Sequence, residues 1–344
     1  MKTIDLRSDT VTMPTQEMLQ SIPGAKLGDD VEMEDPTVNE LQDYAAAKFG
    51  AEAALLVPSG TMGNLIAMLV HCKRGDEIVL EADAHMYYYE IGGMSALAGC
   101  IPRLIKGERG VFTAGQVYEA VRHYDALHYP PSRLLEIENT HNRAGGCCWT
   151  VRQVEEVSQA ARELGMQVHM DGARIFNASV SLGVDVKDYM RHVDSLDFCL
   201  SKGLCAPVGS MMLGSREFIE KARVYRKMVG GGMRQAGIIA APGLVAMQKM
   251  IPRLKEDHDN ARRFAVAVDG LGGMLVDMKR VQTNIVLVDV AGTGLSAVEF
   301  VEEARKHGVL IFDFGRDCVR FVTHYGITAA DIDETVERLA KMLR

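Results

Sequence analysis

One stretch indicates the class of fold most clearly: Leu196-Asp197-Phe198-Cys199-Leu200-Ser201-Lys202-Gly203-Leu204. Its first half is a short, mainly apolar run with the length and composition of a buried strand. Lys202 follows where such a strand would end, and a glycine comes after it. Because lysine is rarely buried, this position is either a solvated turn or an amine that serves the chemistry of the protein.

Short apolar runs elsewhere in the chain alternate with amphipathic segments, a pattern typical of an α/β domain. The predicted strands are residues 54–57, 78–80, 134–137, 168–170, 196–200 and 210–213. A helix is predicted over residues 62–70. Another is predicted to begin at Thr150, which has capping-box spacing to Gln153. This second helix leads directly into the strand that carries Asp171.

The pattern changes after residue 243. A long polar helix through residues 253–263 is followed by an apolar strand at 284–288, and a last helix is predicted to start at Thr328. We therefore predict two domains. Residues 1–245 would form an N-terminal arm and a large domain, and residues 246–344 a small C-terminal α/β domain.

Composition limits the classes of partner. The 344 residues carry a net charge of −8, which disfavours a nucleic acid or an anionic membrane surface. No apolar run reaches the ~18–20 residues that a bilayer requires. Seven cysteines, an odd number without metal-ligand spacing, indicate reduced thiols rather than disulfides or a metal centre. We expect a cytoplasmic protein without a metal ion.

Lys202 and Asp171 each follow or end a predicted strand. A lysine can form an imine with an aldehyde cofactor, and an aspartate can keep a pyridinium nitrogen protonated. Pyridoxal phosphate requires these two groups of its protein. The simpler alternative is a turn lysine together with a helix-capping aspartate that pairs with Arg174.

The loop at residues 58–64 joins a strand to a helix. Gly60, Thr61 and Met62 would place backbone N–H groups at the helix N-terminus, where an anion such as phosphate is favoured. The loop has neither Walker nor GxGxxG spacing. A tight turn with a capping residue is an equal alternative.

Further polar residues occupy positions that suit a binding site. His85 could stack on a ring or move protons, although a lone histidine there is more often structural. Arg320, between two apolar residues, could bind a carboxylate or be an edge-strand charge. Lys227 and Arg234 flank the glycines at 230–232, which favours a phosphate or another subunit over a solvated face.

Taken in order, these segments resemble the low-specificity L-threonine aldolases, pyridoxal phosphate enzymes of fold type I. The matching stretches are residues 4–12, 28–30, 35–39, 58–61, 138–142, 171–174, 200–204 and 230–235. The resemblance implies a large domain with a mostly parallel seven-stranded sheet and a small C-terminal α/β domain.

The resemblance also implies which residues surround the cofactor. They are Lys202 on its aldehyde, Asp171 on its ring nitrogen, Arg174 on its 3-hydroxyl side, His85 stacked on the ring, and Gly60, Thr61 and Met62 on its phosphate. Lys227 and Arg234 of a neighbouring subunit would join the phosphate site. A homo-oligomer is therefore expected, a tetramer built from dimers with shared active sites.

The reaction implied by the resemblance is the cleavage of L-threonine or L-allo-threonine to glycine and acetaldehyde. Ser8, Arg174 and Arg320 would hold the substrate, and His128 would lie near its hydroxyl group. His85 or His128, directly or through a water, would be the base. The alternatives are a phenylserine-type aldolase or β-eliminating lyase on the same scaffold, and a non-catalytic regulator.

Overall fold

Strands and helices alternate in the computed structural model, which describes residues 2–122 and 127–344. The strands are β1 (Ile4–Asp5), β2 (Ala53–Val57), β3 (Glu77–Glu81), β4 (Ile101–Ile105), β5 (Ser132–Glu138), β6 (Gln167–Asp171), β7 (Ser195–Cys199), β8 (Ser210–Gly214), β9 (Ile285–Asp289), β10 (Val309–Leu310), β11 (Phe312–Asp313) and β12 (Cys318–Val322). Each strand predicted in the first 245 residues is present, with ends shifted by at most two residues.

The helices are α1 (Gln16–Ser21), α2 (Pro36–Phe49), α3 (Gly60–His71), α4 (His85–Tyr88), α5 (Gly93–Ala96), α6 (Ala114–Ala120), α7 (Val151–Glu163), α8 (Ile175–Leu182), α9 (Val186–Met190), α10 (Arg216–Met228), α11 (Gly237–Val245), α12 (Leu254–Val268), α13 (Ala297–Lys306) and α14 (Ala329–Met342). A π-helical turn, Ala246–Met250, follows α11. Within the two described ranges, no helix is long and apolar enough to cross a membrane.

Local sequence explains where α7 begins. The Thr150 hydroxyl accepts a hydrogen bond from the N–H of Gln153, and the Gln153 side chain accepts one from the N–H of Thr150. Val154 and Val157 lie on the face that packs into the core. The capping box and the helix predicted from it are confirmed.

One seven-stranded sheet organises the first part of the chain, in the order β2-β8-β7-β6-β5-β3-β4. β8 is antiparallel to β2 and β7, and the remaining neighbours are parallel. The predicted mostly parallel sheet is confirmed. Because parallel strands end at the same edge, the loops after β3, β5, β6 and β7 come together there.

Strand β4 was not predicted from the sequence. It reads Ile101-Pro102-Arg103-Leu104-Ile105, and only its last residue is buried. The strand lies at the edge of the sheet beside β3, where a proline without an N–H is tolerated. A search for buried apolar runs misses a strand of this kind.

The buried apolar residues of the described ranges form four clusters, and two of these cores are much the largest. The larger packs around the seven-stranded sheet and includes Trp149, and the smaller packs around the antiparallel sheet β11-β12-β9 and includes Phe300. Leu254 belongs to the first core and Ala261 to the second, so the change falls within α12. The domain boundary expected near residue 246 remains a prediction.

The N-terminal arm contacts both parts. The arm was predicted together with the large domain as residues 1–245. Its strand β1 pairs in parallel with β10, and Ile4 and Leu6 are buried in the smaller core. A few residues later, the hydroxyl of Thr12 donates to the carbonyl oxygen of Lys202 at 2.9 Å. The arm therefore runs from the small unit to the loop after β7.

Candidate active site

A cavity of about 360 Å³ opens beyond the carboxyl ends of the central strands. The predicted site residues in its wall are Ser8, His85, Arg174, Lys202 and Arg320. They come from the arm, from the loops after β3, β6 and β7, and from β12. Residues far apart in sequence therefore meet at the sheet edge where ligands of open α/β sheets bind.

Asp171 and Lys202 follow neighbouring strands. Asp171 is the last residue of β6 and is almost completely buried. Lys202 comes three positions after the end of β7 and is half-buried, with its side chain at the cavity. A buried carboxylate and an accessible amine thus lie at one end of the same pair of parallel strands.

Asp171 is held as an ionised acceptor. Its Oδ2 accepts from Asn64 Nδ2 at 2.9 Å and its Oδ1 from the N–H of Ala173 at 3.0 Å. Burial by itself raises its pKa, but the charges of His85 and Lys202 act in the other direction, together with these hydrogen bonds. The pKa of Asp171 therefore lies below its ordinary value.

His85 begins the short helix α4 and is fixed by two glutamates. Its Nδ1 lies 3.0 Å from Oε1 of Glu90, and its backbone N–H donates to Oε2 of Glu138 at 2.8 Å. Burial lowers the pKa of His85, but the hydrogen bond with Glu90 and the surrounding carboxylates raise it above its ordinary value. One nitrogen, Nε2, is left to act in the cavity.

Arg174 forms a bidentate ion pair with Asp9 that was not predicted from the sequence. Its Nε donates to Oδ2 of Asp9 at 2.7 Å, and its NH2 donates to Oδ1 at 2.6 Å. Both side chains are buried. Asp9 lies in the stretch 4–12 that resembles the aldolases, but no role was predicted for it, because the sequence does not reveal its partner. The pair fixes the guanidinium of Arg174 at the cavity wall.

Arg320 is a buried cation whose hydrogen bonds go to neutral acceptors. NH1 donates to Oδ1 of Asn142 at 2.9 Å and NH2 to the carbonyl oxygen of Arg7 at 3.3 Å, while Nε has no partner among the described residues. Burial, with the nearby charge of Arg174, lowers the pKa of Arg320 to about 10. Ser8 lies in the same wall. This arrangement suits a carboxylate ligand.

Helix α3 points its N-terminus toward the end of β7. A Cβ atom added to Gly60 would lie 3.0 Å from Cys199 Sγ, and one added to Gly63 would lie 3.3 Å from Asp197 Oδ2. The N–H of Met62 donates to the capping hydroxyl of Ser59. Of the three predicted phosphate donors, Met62 therefore already has an acceptor for its N–H. Gly60 and Thr61 provide the first N–H groups of the helix that have no partner within it.

Seven of the twelve predicted site residues lie outside the cavity wall. Asp171 is buried, and Gly60, Thr61 and Met62 begin α3, whereas the other three are exposed. These three are His128, Lys227 and Arg234, and Arg234 pairs with Asp29 at 2.7 Å near the surface. Within the single described chain, none of the three contacts the other candidates. Their roles remain predictions that depend on a neighbouring subunit.

Several residues that organise the site were not singled out from the sequence. Asn64 donates to both Asp171 and Glu90. Glu138 accepts from the backbone N–H of Asn142 at 2.9 Å as well as from that of His85. Asn64 and Glu138 stood in the stretches that follow predicted strands, but position alone does not tell which side chains turn inward.

Among the described residues, one group of side chains has the spacing of a metal-ion site. His85, Glu90 and Asp171 have ligand atoms that lie within 4.8 Å of one another. These atoms already form hydrogen bonds with one another or with Asn64. The cluster is therefore explained as a hydrogen-bonded set.

The donor set fits pyridoxal phosphate. A half-buried amine at Lys202 can bind an aldehyde, and an ionised buried carboxylate at Asp171 suits a pyridinium nitrogen. The imidazole of His85 borders the same space, and the N-terminus of α3 suits a phosphate group.

The chain is similar to known proteins along nearly its whole length. It matches the family described as beta-eliminating lyase over residues 5–292. It is 42% identical to "Low-specificity L-threonine aldolase 1" of Arabidopsis thaliana, covering 98% of this chain and 95% of that protein. Identity to "Low specificity L-threonine aldolase" of Escherichia coli K12 is also 42%, with 96% of each chain covered.

The fold matches solved structures as well. A threonine aldolase of Leishmania major superposes with a TM-score of 0.85, over 99% of each chain, at 16% sequence identity. That likeness supports the fold, and the closer sequence relatives support the family. The chain belongs to the beta-eliminating lyase family and, within it, to the low-specificity L-threonine aldolases.

Proposed function

We propose that the protein cleaves L-threonine, L-allo-threonine and related β-hydroxy-α-amino acids to glycine and the corresponding aldehyde, with pyridoxal phosphate as its cofactor. One observation carries the proposal: the amine of Lys202, the buried cation of Arg320 and the cavity above Asp171 come together in one chain. The relatives at 42% identity support the same reaction.

The cofactor, when bound, supplies an electron-poor ring that accepts the electron pair left at Cα after the Cα–Cβ bond breaks. The roles of the protein residues are our proposals. Asp171 would keep a proton at the ring nitrogen. Arg320 and Ser8 would bind the substrate carboxylate and thereby decide which bond at Cα is aligned for cleavage. Gly60 and Thr61 would bind the phosphate.

The reaction requires a base for the proton of the β-hydroxyl group. His85 lines the cavity, and its pKa is raised above its ordinary value, which makes its imidazole a stronger base. His128 is exposed in the single chain, and would act from a neighbouring subunit or through a water. Of the two histidines, His85 has the contacts that fit the role within one subunit.

The proposed assembly is a homo-oligomer, a tetramer built from dimers with shared active sites. Lys227 and Arg234 would reach the phosphate site of a neighbouring subunit. The exposed apolar side chains of Ile91, Leu97 and Met228 suit subunit contacts better than solvent. We also propose a cytoplasmic location, which the seven unpaired cysteines favour.

The test is a substrate panel on the purified protein with added pyridoxal phosphate. L-Threonine, L-allo-threonine and phenylserine are each assayed for aldehyde, and for pyruvate and ammonia. We expect acetaldehyde from the first two. Lys202→Ala should abolish both turnover and the absorbance of the lysine-bound cofactor, whereas Lys249→Ala, at the surface, should change neither.

Other outcomes of this panel would favour the alternatives. Pyruvate and ammonia without aldehyde would indicate a β-eliminating lyase, and benzaldehyde from phenylserine alone would indicate a phenylserine-type aldolase. Cofactor binding without turnover of any of the three would favour a regulator.

A further inference from the structure

A line of buried hydrogen bonds leads from Asp171 away from the cavity. The amide nitrogen of Asn64 donates to Oδ2 of Asp171 at 2.9 Å and to Oε1 of Glu90 at 2.8 Å. The amide oxygen of Asn64 lies 3.1 Å from Nε2 of His169. Every polar atom of the Asn64 side chain is therefore engaged in one orientation.

The line continues on the far side of His169. Its Nδ1 lies 2.9 Å from the hydroxyl of Ser195, which lies 2.8 Å from Nε2 of His71. His169 and Ser195 are completely buried. His71 is half-buried beside Phe218 and borders a surface groove of about 740 Å³. The line thus joins the floor of the active site to the opposite end of the sheet.

The donors and acceptors of this line are compatible with one direction only. If Asn64 were turned over, its oxygen would face the carboxylates of Asp171 and Glu90. The oxygen therefore faces His169, whose Nε2 must carry the proton, and Nδ1 must accept from Ser195. The hydroxyl oxygen of Ser195 is then left to accept from His71. Each N–H or O–H points towards Asp171.

The charges around His169 agree with this direction. Burial lowers the pKa of His169 to about 4 and that of His71 to about 3, although Asp171 opposes the shift at His169, so both rings are neutral near pH 7. Asp197 lies 3.7 Å from Nε2 of His169. Burial raises the pKa of Asp197 well above its ordinary value. A neutral Asp197 side chain does not stabilise a positively charged His169.

We propose that His169, oriented by Ser195 and His71, is a positioning residue for the cofactor. It fixes the amide of Asn64 so that Asp171 receives a hydrogen bond and stays an ionised acceptor for the ring nitrogen. The link to the cofactor rests on the function proposed above. The same contacts in a purely structural role would affect folding stability but not the cofactor.

The tautomer of His169 gives a test that needs no cofactor. We suggest nitrogen-15 NMR of histidine-labelled apoprotein, with His169→Gln used to assign the signal. We expect a neutral ring with its proton on Nε2, and a weaker preference for this tautomer in Ser195→Ala, where only the Asn64 oxygen still selects it. A proton found on Nδ1 in the wild type, or a charged ring at neutral pH, would refute the proposed direction.

Cofactor affinity gives the second test. Because hydrogen bonds to charged groups are among the stronger ones, Ser195→Ala and His169→Leu should each raise the dissociation constant of pyridoxal phosphate by about tenfold or more. Each should lower kcat more than it changes KM. Ser195→Thr keeps the hydroxyl and should restore the affinity, and His169→Gln keeps a donor and an acceptor.

The outcomes separate this proposal from the function. If Ser195→Ala binds the cofactor as tightly as the wild type, or if Ser195→Thr is as impaired as Ser195→Ala, the positioning role is wrong. If Ser195→Ala does not fold, the positioning role is tested by the cofactor affinity of His169→Gln and by the NMR measurement on the wild type. A wild type that binds the cofactor but cleaves no substrate would overturn the function and leave the positioning role standing.

Discussion

Arg320 combines burial with hydrogen bonds to neutral acceptors only. Its hydrogen bonds go to the amide of Asn142 and a backbone carbonyl, and the ring of Phe314 lies 5.2 Å from its guanidinium carbon. A buried cation without an anionic hydrogen-bond partner destabilises the folded chain. A substrate carboxylate would remove that penalty, which explains why the residue suits this position.

We predict that Arg320→Gln lowers kcat/KM for L-threonine by about tenfold to a hundredfold, since a hydrogen bond to a charged group contributes about 1.5–3 kcal/mol. The variant without ligand should unfold no more easily than the wild type. Steady-state kinetics and thermal unfolding measure the two effects. Arg316→Gln, at an exposed position next to Asp317, is the control. An unchanged kcat/KM would show that Arg320 does not bind the substrate.

The N-terminal arm is the element that connects the two cores with the site. Its strand β1 pairs with β10, and the short 3₁₀ turn Asp9–Val11 follows. Asp9 pairs with Arg174 and accepts from Asn284 Nδ2 at 3.3 Å. Thus one buried carboxylate contacts Arg174, which follows β6, and Asn284, which precedes β9.

We predict that Asp9→Ala reduces the free energy of unfolding by about 3 kcal/mol or more, because it leaves the buried guanidinium of Arg174 without its partner. Cofactor affinity should fall as well, since Arg174 is no longer fixed. Chemical denaturation and a cofactor titration would measure these changes. Asp333→Ala removes a surface pair with Arg263 and should have little effect. Equal losses in both variants would contradict the role of the arm.

At the scale of the whole molecule, the exposed positions of Lys227 and Arg234 matter most. In one chain, the N-terminus of α3 is the proposed phosphate site, and these two cations lie at the surface. A shared active site would give them a phosphate to bind. Two copies of the chain would then be the smallest complete enzyme.

We predict that coexpression of two variants restores activity. One variant is Lys202→Ala, and the other carries Lys227→Ala together with Arg234→Ala. A mixed dimer contains one site with both defects and one intact site. The control is Lys202→Ala with Asp171→Ala, whose defects lie in the same cavity of one chain and leave no intact site. Aldehyde release by differently tagged, copurified subunits is the measurement. No recovery in the first pair would argue that sites are not shared.

The sequence by itself predicted the central strands, several helices and the positions of two candidate site residues relative to those strands. Apolar runs gave the central strands, Thr150 gave the start of α7, and the ends of two strands gave Asp171 and Lys202. These features depend on local periodicity and capping, which neighbouring residues settle among themselves. The edge strand β4 fails this criterion because it is only partly buried.

Only the tertiary structure decided which side chains meet. Asp9 and Arg174 are 165 positions apart, and Asn64 and His169 are 105 apart. No local pattern specifies such pairs, because a hydrogen bond depends on where packing places both partners and on which way each side chain points. The sequence thus located Asp171 and Lys202 at strand ends, and the fold supplied the contacts around them.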